Sequence, residues 1–152
     1  MMPATIQTLG RGACIFAGLL SVLAQPPRGC DPPKELQAQR TTKPSSQADN
    51  ILGAWFARHG NSRCAISAFE SALRADPNSR EARYNLGLAL LENKQPKQAA
   101  AELEALVKQA PDSLPAHLGL SMALTDLGAL DAAESEARAA LKLDSKSAQA
   151  LH

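Results

Sequence analysis

A period of 34 residues constrains this chain more than any other feature. Shifting the sequence by 34 places Leu52 and Gly53 on Leu86 and Gly87, and then on Leu120 and Ser121. The same shift aligns Ala65 with Ala99 and Ala133, Phe69 with Leu103 and Ala137, Ala72 with Leu106 and Ala140, and Pro77 with Pro111. Recurrence at a fixed interval marks stacked supersecondary units, each too small to bury its apolar face alone. Three blocks result, 46–79, 80–113 and 114–147. Within each block apolar residues recur three or four apart in two runs, the spacing of an amphipathic helix face. In the second block one run passes through Ala82, Leu86, Ala89 and Leu90, and the other through Ala99, Leu103, Leu106 and Val107. Residues 93–96 separate them, and so short a connection folds two helices back on each other. Pro96 suits the first turn of a helix, where its missing N–H has no intrahelical use. Gly60 with Asn61, and Gly128, occupy the equivalent turns. Pro77 and Pro111 close the second helices, because the residue before a proline is steered away from the α region.

Composition agrees with this reading. The 152 residues include 29 Ala and 22 Leu but only 4 Ile and 2 Val. Strands favour β-branched and aromatic residues while Ala and Leu are strong helix formers, so the fold class is all-α. A net charge of +1 and an aromatic content of 3% supply neither the basic surface nor the stacking rings that nucleic-acid binding requires. Gly53, Gly87 and Ser121 are expected where the two helices of a pair cross, with Ala65, Ala99 and Ala133 opposite. Glycine in a helix interior costs roughly 1 kcal/mol against alanine, which points to close packing at Gly87.

These blocks resemble tetratricopeptide repeats. Block two supplies Tyr84, Leu86, Gly87, Leu90, Ala99, Leu103, Leu106 and Pro111 at the family's positions; block one supplies Leu52, Gly53, Phe56, Ala65, Phe69, Ala72 and Pro77. Block three departs most, with Ser121 for Gly, Ala137 for the aromatic and Ser145 for Pro. The resemblance implies an α-solenoid of three antiparallel helix pairs in a right-handed superhelix, with the first helix of each pair lining a concave groove. It places Asn50, Ile51, Ala54 and Arg58, then Glu81, Tyr84, Asn85, Leu88 and Glu92, then Leu118, Met122 and Asp126 along that groove. Leu88, Leu118 and Met122 beside Tyr84 would form an apolar strip, although the same side chains could equally serve packing between repeats. Asn85 can both donate to and accept from a peptide backbone. Family members that clamp chaperone C-termini use Lys, Asn, Asn, Lys and Arg. Asn50, Ala54, Asn85, Pro115 and Gly119 stand at those positions, so only Asn85 agrees and that function is not expected.

The amino terminus reads as an address. Residues 13–24, ACIFAGLLSVLA, carry no charge, yet a membrane span needs about 20 apolar residues. Twelve suit the apolar core of a secretory signal peptide over 1–24, with Ala24 at a small-residue cleavage site and a bacterial source assumed. Residues 25–45 contain five prolines among polar residues and are expected to form a disordered linker, with a short helix near 34–40 as an option. Cys30 is a candidate lipid acceptor, though Pro27, Arg28 and Gly29 before it fit a lipoprotein site poorly. Cys30 and Cys64 could pair in an oxidising compartment. Spacing does not impose that pairing, and a linker thiol plus a small helix residue is the plainer reading. A membrane is therefore expected to be met only through the signal or a lipid anchor.

No phosphate-cradling GxxxxGK, no GxSxG and no HExxH is present, and His59, His117 and His152 lack metal-ligand spacing. No cofactor or catalysis is expected. Residues 148–152 amount to about one turn of a further helix, too little to cover Leu141, Leu143 and Leu151 as a cap would. A partner or a second copy is expected at that edge, or else fraying. The expected function is a non-enzymatic scaffold for a protein or peptide in the periplasm or envelope. Its layout is similar to that of envelope repeat proteins of Flp (tight-adherence) pilus assembly. The rival is a self-assembling structural module without a specific peptide ligand.

Overall fold

The computed structural model describes residues 29–42 and 45–150, with the backbone course alone for 39–42 and 146–150. The expected signal peptide (1–24), the start of the linker (25–28) and residues 151–152 lie outside the described residues. Among the described residues seven helices follow in order: α1 (Lys34–Thr42), α2 (Ser46–Arg58), α3 (Ser62–Ala75), α4 (Arg80–Glu92), α5 (Pro96–Gln109), α6 (Leu114–Asp126) and α7 (Leu130–Ala150). The described residues contain no strand.

The 34-residue period sets the helix boundaries as well as the apolar face. Ser45, Ser79 and Ser113 cap α2, α4 and α6, accepting the backbone N–H of Ala48, Ala82 and Ala116 at 3.1, 3.3 and 3.4 Å. A cap of this kind is worth about 1 kcal/mol. Each of these helices then ends on a left-handed residue: Gly60, Lys94 and Gly128, with φ of 70°, 59° and 75°. The next amide reaches back five residues to the carbonyl of Phe56, Leu90 or Leu124, at 3.0, 2.9 and 2.9 Å. This is the Schellman closure, which glycine serves without steric cost. Lys94 serves it with a side chain, at a cost of about 1 kcal/mol.

Within each pair the helices approach closely at one point. A Cβ placed on Gly53 would lie 2.5 Å from Cε1 of Phe69, and one on Gly87 would lie 2.7 Å from Cγ of Leu103. Phe69 and Leu103 are almost wholly buried, and Ala65 and Ala99 are fully so. The missing Cβ is thus filled by the large residue of the second helix. In the third pair both partners change: Ser121 carries a Cβ, and Ala137 is small. Ser121 Oγ donates to the Ala133 carbonyl at 2.8 Å, tying the helices by a hydrogen bond.

The pairs stack through α3 against α4 and α5 against α6. Among the described residues, α2 touches α4 and α4 touches α6, whereas α3, α5 and α7 do not touch one another. An array whose first helices are in contact while its second helices splay must curve, with α2, α4 and α6 on the inner side.

Two expectations are corrected. Of the region expected as a disordered linker, 29–42 is ordered: the short helix expected near 34–40 is α1, which packs on α2, and Cys30 and Cys64 form a disulfide with Cα atoms 5.5 Å apart. A sulfur so bonded cannot also carry a lipid thioether, so Cys30 has a structural role in place of the lipid-acceptor one. Cys30 lies 34 residues before Cys64, so α1 falls in phase with the end of α3 and covers α2 as α3 covers α4. The segment is a half-repeat cap, and Leu36 packs against the core. The second correction concerns 148–150, expected as a separate turn. Helix α7 runs unbroken to Ala150, because Ser145 stands where Pro77 and Pro111 stop the earlier helices.

Two outcomes follow from this packing. Gly87→Ala should destabilise the protein by about 1–2 kcal/mol in urea unfolding, although alanine is the better helix former, because overpacking outweighs propensity. Combined with Leu103→Ala, it should cost less than the sum of the two single losses; an additive double variant would contradict the close approach. Cys64→Ala should cost about 4 kcal/mol, the scale for closing a loop of this length, and should free the amides of α1 in hydrogen exchange. Unchanged stability with or without reductant would show that the cap is not pinned.

Candidate peptide-binding surface

The inner helices bring the expected groove residues into three environments. Ile51, Leu118 and Met122 are open to solvent, at 45, 45 and 56% exposure, which is high for large apolar side chains. Arg58 and Glu81 are also exposed. Ala54, Tyr84 and Leu88 are half-buried against the core, so much of their surface serves packing between helices. Asn50 is buried, and its Oδ1 accepts Asn85 Nδ2 at 3.0 Å. That bond crosses from α2 to α4 and fixes the Asn85 amide. Asn85 therefore acts first as a tie between neighbouring repeats, a role that residue types alone did not reveal. Beside it, Glu81 and Tyr84 share a cavity of about 450 Å³ with Pro115 at the α4–α6 seam. Leu118 borders a second cavity of about 420 Å³ with Ala140 and Leu141 at the edge beyond the third repeat.

A second set of ties orients these helices from behind. Arg83 donates from Nη1 to Glu102 Oε2 at 2.8 Å and from Nη2 to the Pro77 carbonyl at 2.7 Å. One period later, His117 Nδ1 lies 2.6 Å from Glu136 Oε2 and His117 Nε2 lies 3.0 Å from the Pro111 carbonyl. A basic side chain near the start of the inner helix thus joins a carboxylate of its partner helix to the loop before it. Burial by itself lowers the His117 pKa. The hydrogen bonds to the Pro111 carbonyl and to Glu136, with the charge of Glu136, outweigh burial and raise the pKa above its ordinary value of 6.5. His59 plays a local part, its ring stacked on Trp55 with centroids 4.0 Å apart at the end of α2.

Among the described residues no group of three or more His, Cys, Asp or Glu could hold a metal ion, and no helix is long and apolar enough to cross a membrane. The fold is an array of antiparallel helix pairs, with large apolar side chains exposed on α2 and α6. Residues 56–113 and 90–152 each match a family model described as Tetratricopeptide repeat. The chain carries tetratricopeptide repeats. The solved structure of MamA superposes with a TM-score of 0.71 at 23% identity, over 75% of this chain and 67% of that one. The second such domain of Spaghetti (RPAP3), bound to the HSP90 peptide SRMEEVD, gives 0.64 at 21% identity over 70% of this chain and 98% of that one. A MamA double mutant (RS-1 ArsTM) gives 0.68 at 28% identity over 72% and 62%. No curated protein matches the sequence.

Asn85→Ala should cost about 1–2 kcal/mol by urea unfolding, because the half-satisfied Asn50 amide stays buried. Arg58→Ala, at an exposed site, should stay within about 0.5 kcal/mol. Equal effects would mean that the Asn50–Asn85 bond holds nothing.

Proposed function

We propose that the protein is an exported, non-catalytic scaffold that holds an apolar segment of a partner protein against α2, α4 and α6. The observation that carries this reading is the exposure of Ile51, Leu118 and Met122 on the first and third inner helices, flanking Tyr84 and Asn85 on the second. Exposed large apolar side chains on the inner helices are candidates for an interaction site, Leu118 being shared with the edge cavity beside Leu141. Charge narrows the ligand. At the expected groove positions Glu81, Glu92 and Asp126 outnumber Arg58, and all four are exposed. RPAP3 holds the acidic peptide SRMEEVD, whereas this surface favours a neutral or basic segment with apolar anchors.

Export is supported by the twelve-residue apolar run at 13–24 and by the Cys30–Cys64 disulfide, since such bonds persist in oxidising compartments. A bacterial periplasm or envelope is the reading that joins both. Assistance to pilus or secretion-system assembly is its narrower form. It rests on layout: a signal, a proline-rich segment and three repeats.

A second reading, self-assembly through the third repeat, is favoured by one observation. Leu141 is 69% exposed beside the cavity it shares with Leu114 and Leu118. The two readings separate by mutation. Ile51→Glu with Met122→Glu should reduce partner co-purification from the envelope at least tenfold while helicity is unchanged. Leu141→Glu should leave it intact. The reverse pattern, with Leu141→Glu dissolving a homo-oligomer in light scattering, would favour the second reading.

A further inference from the structure

Translating the structure by one repeat exposes a single chemical substitution. Arg83 and His117 occupy the same place in consecutive repeats. Their carboxylate partners, Glu102 and Glu136, lie 19 residues on, and their carbonyl partners, Pro77 and Pro111, lie six residues back. Arginine stays charged at every physiological pH, whereas histidine is the side chain that titrates near neutrality. Both neighbours of the His117 ring are acceptors, a carboxylate and a carbonyl. Only the imidazolium, with two N–H groups, can donate to both at once. His117 is 8% exposed, so water does not readily replace a lost partner.

We propose that His117, Glu136 and the Pro111 carbonyl form a proton-operated clasp that fastens α6 to α7 and to the loop preceding it, closed when His117 is charged and loosened when it is neutral. The groups around the ring are few. From α7 comes Glu136. The loop before α6 brings the Pro111 carbonyl and then Asp112, which is exposed. The facing helix α5 commits Glu102 to Arg83 and carries Glu104 and Lys108, both exposed; on α7 Glu134 pairs with Arg138 and Asp131 is exposed; α6 itself carries no acidic or basic side chain besides His117 before Asp126. On losing its proton the ring keeps one N–H, and one of the two acceptors then meets a lone pair.

The sign follows from linkage. The folded pKa lies above 6.5, so the stabilisation is fully present below about 6.5 and is lost as pH rises through the folded value. The tie between α4 and α5 through Arg83 has no such dependence and serves as an internal reference. The clasp is independent of what the inner surface binds, although Leu118 lies one residue from it.

The test is hydrogen exchange of the full chain between pH 5.5 and 8.5, corrected for intrinsic exchange, comparing α6–α7 with α4–α5. Protection of α6–α7 should fall severalfold relative to α4–α5 as pH rises through the folded pKa of His117. His117→Arg should abolish that dependence, and Glu136→Gln should shrink it. A wild-type ratio that is flat across the range, or a dependence that survives in His117→Arg, would overturn the clasp. An NMR titration of His117 in the unaltered protein checks the same point without variants. A midpoint above 6.5 supports the clasp and one below 6.5 refutes it.

Discussion

The structure depends on how closely two helices of a pair can approach. That distance is set where Gly53 meets Phe69 and Gly87 meets Leu103, at separations that leave no room for a single extra carbon. Close axes allow a side chain from the second helix to lie on the backbone of the first, so the core is filled by large residues projecting across the seam. The third pair reaches the same end by the opposite assignment, a small Ala137 and a Ser121 hydroxyl bonded to the Ala133 carbonyl. Because the approach recurs every 34 residues, the pairs stack at a constant offset, and contact among α2, α4 and α6 alone produces the inner surface.

The two ends of the array are finished differently. At the amino-terminal end α1 stands in for the second helix of a preceding repeat, and the Cys30–Cys64 disulfide holds it there. Chain entropy that a nine-residue helix could not overcome alone is reduced in the unfolded state by the covalent link. At the other end Leu141 stays exposed, and the third repeat relies on the α6–α7 seam and on the His117–Glu136 contact. The inner surface lies between a covalently pinned repeat and one whose polar tie can titrate.

Periodicity made the helix pairs, their turns and the glycine approach legible from residues alone, because each depends on residue size or backbone preference at a fixed spacing. The ties were less legible. Arg83 and His117 share a phase, yet hydropathy treats a basic side chain as surface whatever it bonds. Only the carboxylate 19 residues on and the proline carbonyl six back reveal the pattern. The prolines around Cys30 suggest no packing, so residue types alone point to a loose linker there. The distance from Cys30 to Cys64, one period, was the available signal. Lys94 in a left-handed turn was unforeseeable from propensity, since glycine holds the two equivalent positions. Of the groove residues, Leu118 and Met122 are exposed, whereas Asn50 and Asn85 spend polarity on each other.

The central claim is that the inner surface, and not the outer one, meets the partner. Site-specific photo-crosslinking in living cells tests it most directly, with the reactive side chain placed at Met122 on the inner helix α6 or at Arg138 on the solvent side of α7, both exposed. A discrete protein adduct from position 122 and none from position 138 is the predicted result. Adducts from 138 alone, or the same adducts from both, would contradict it.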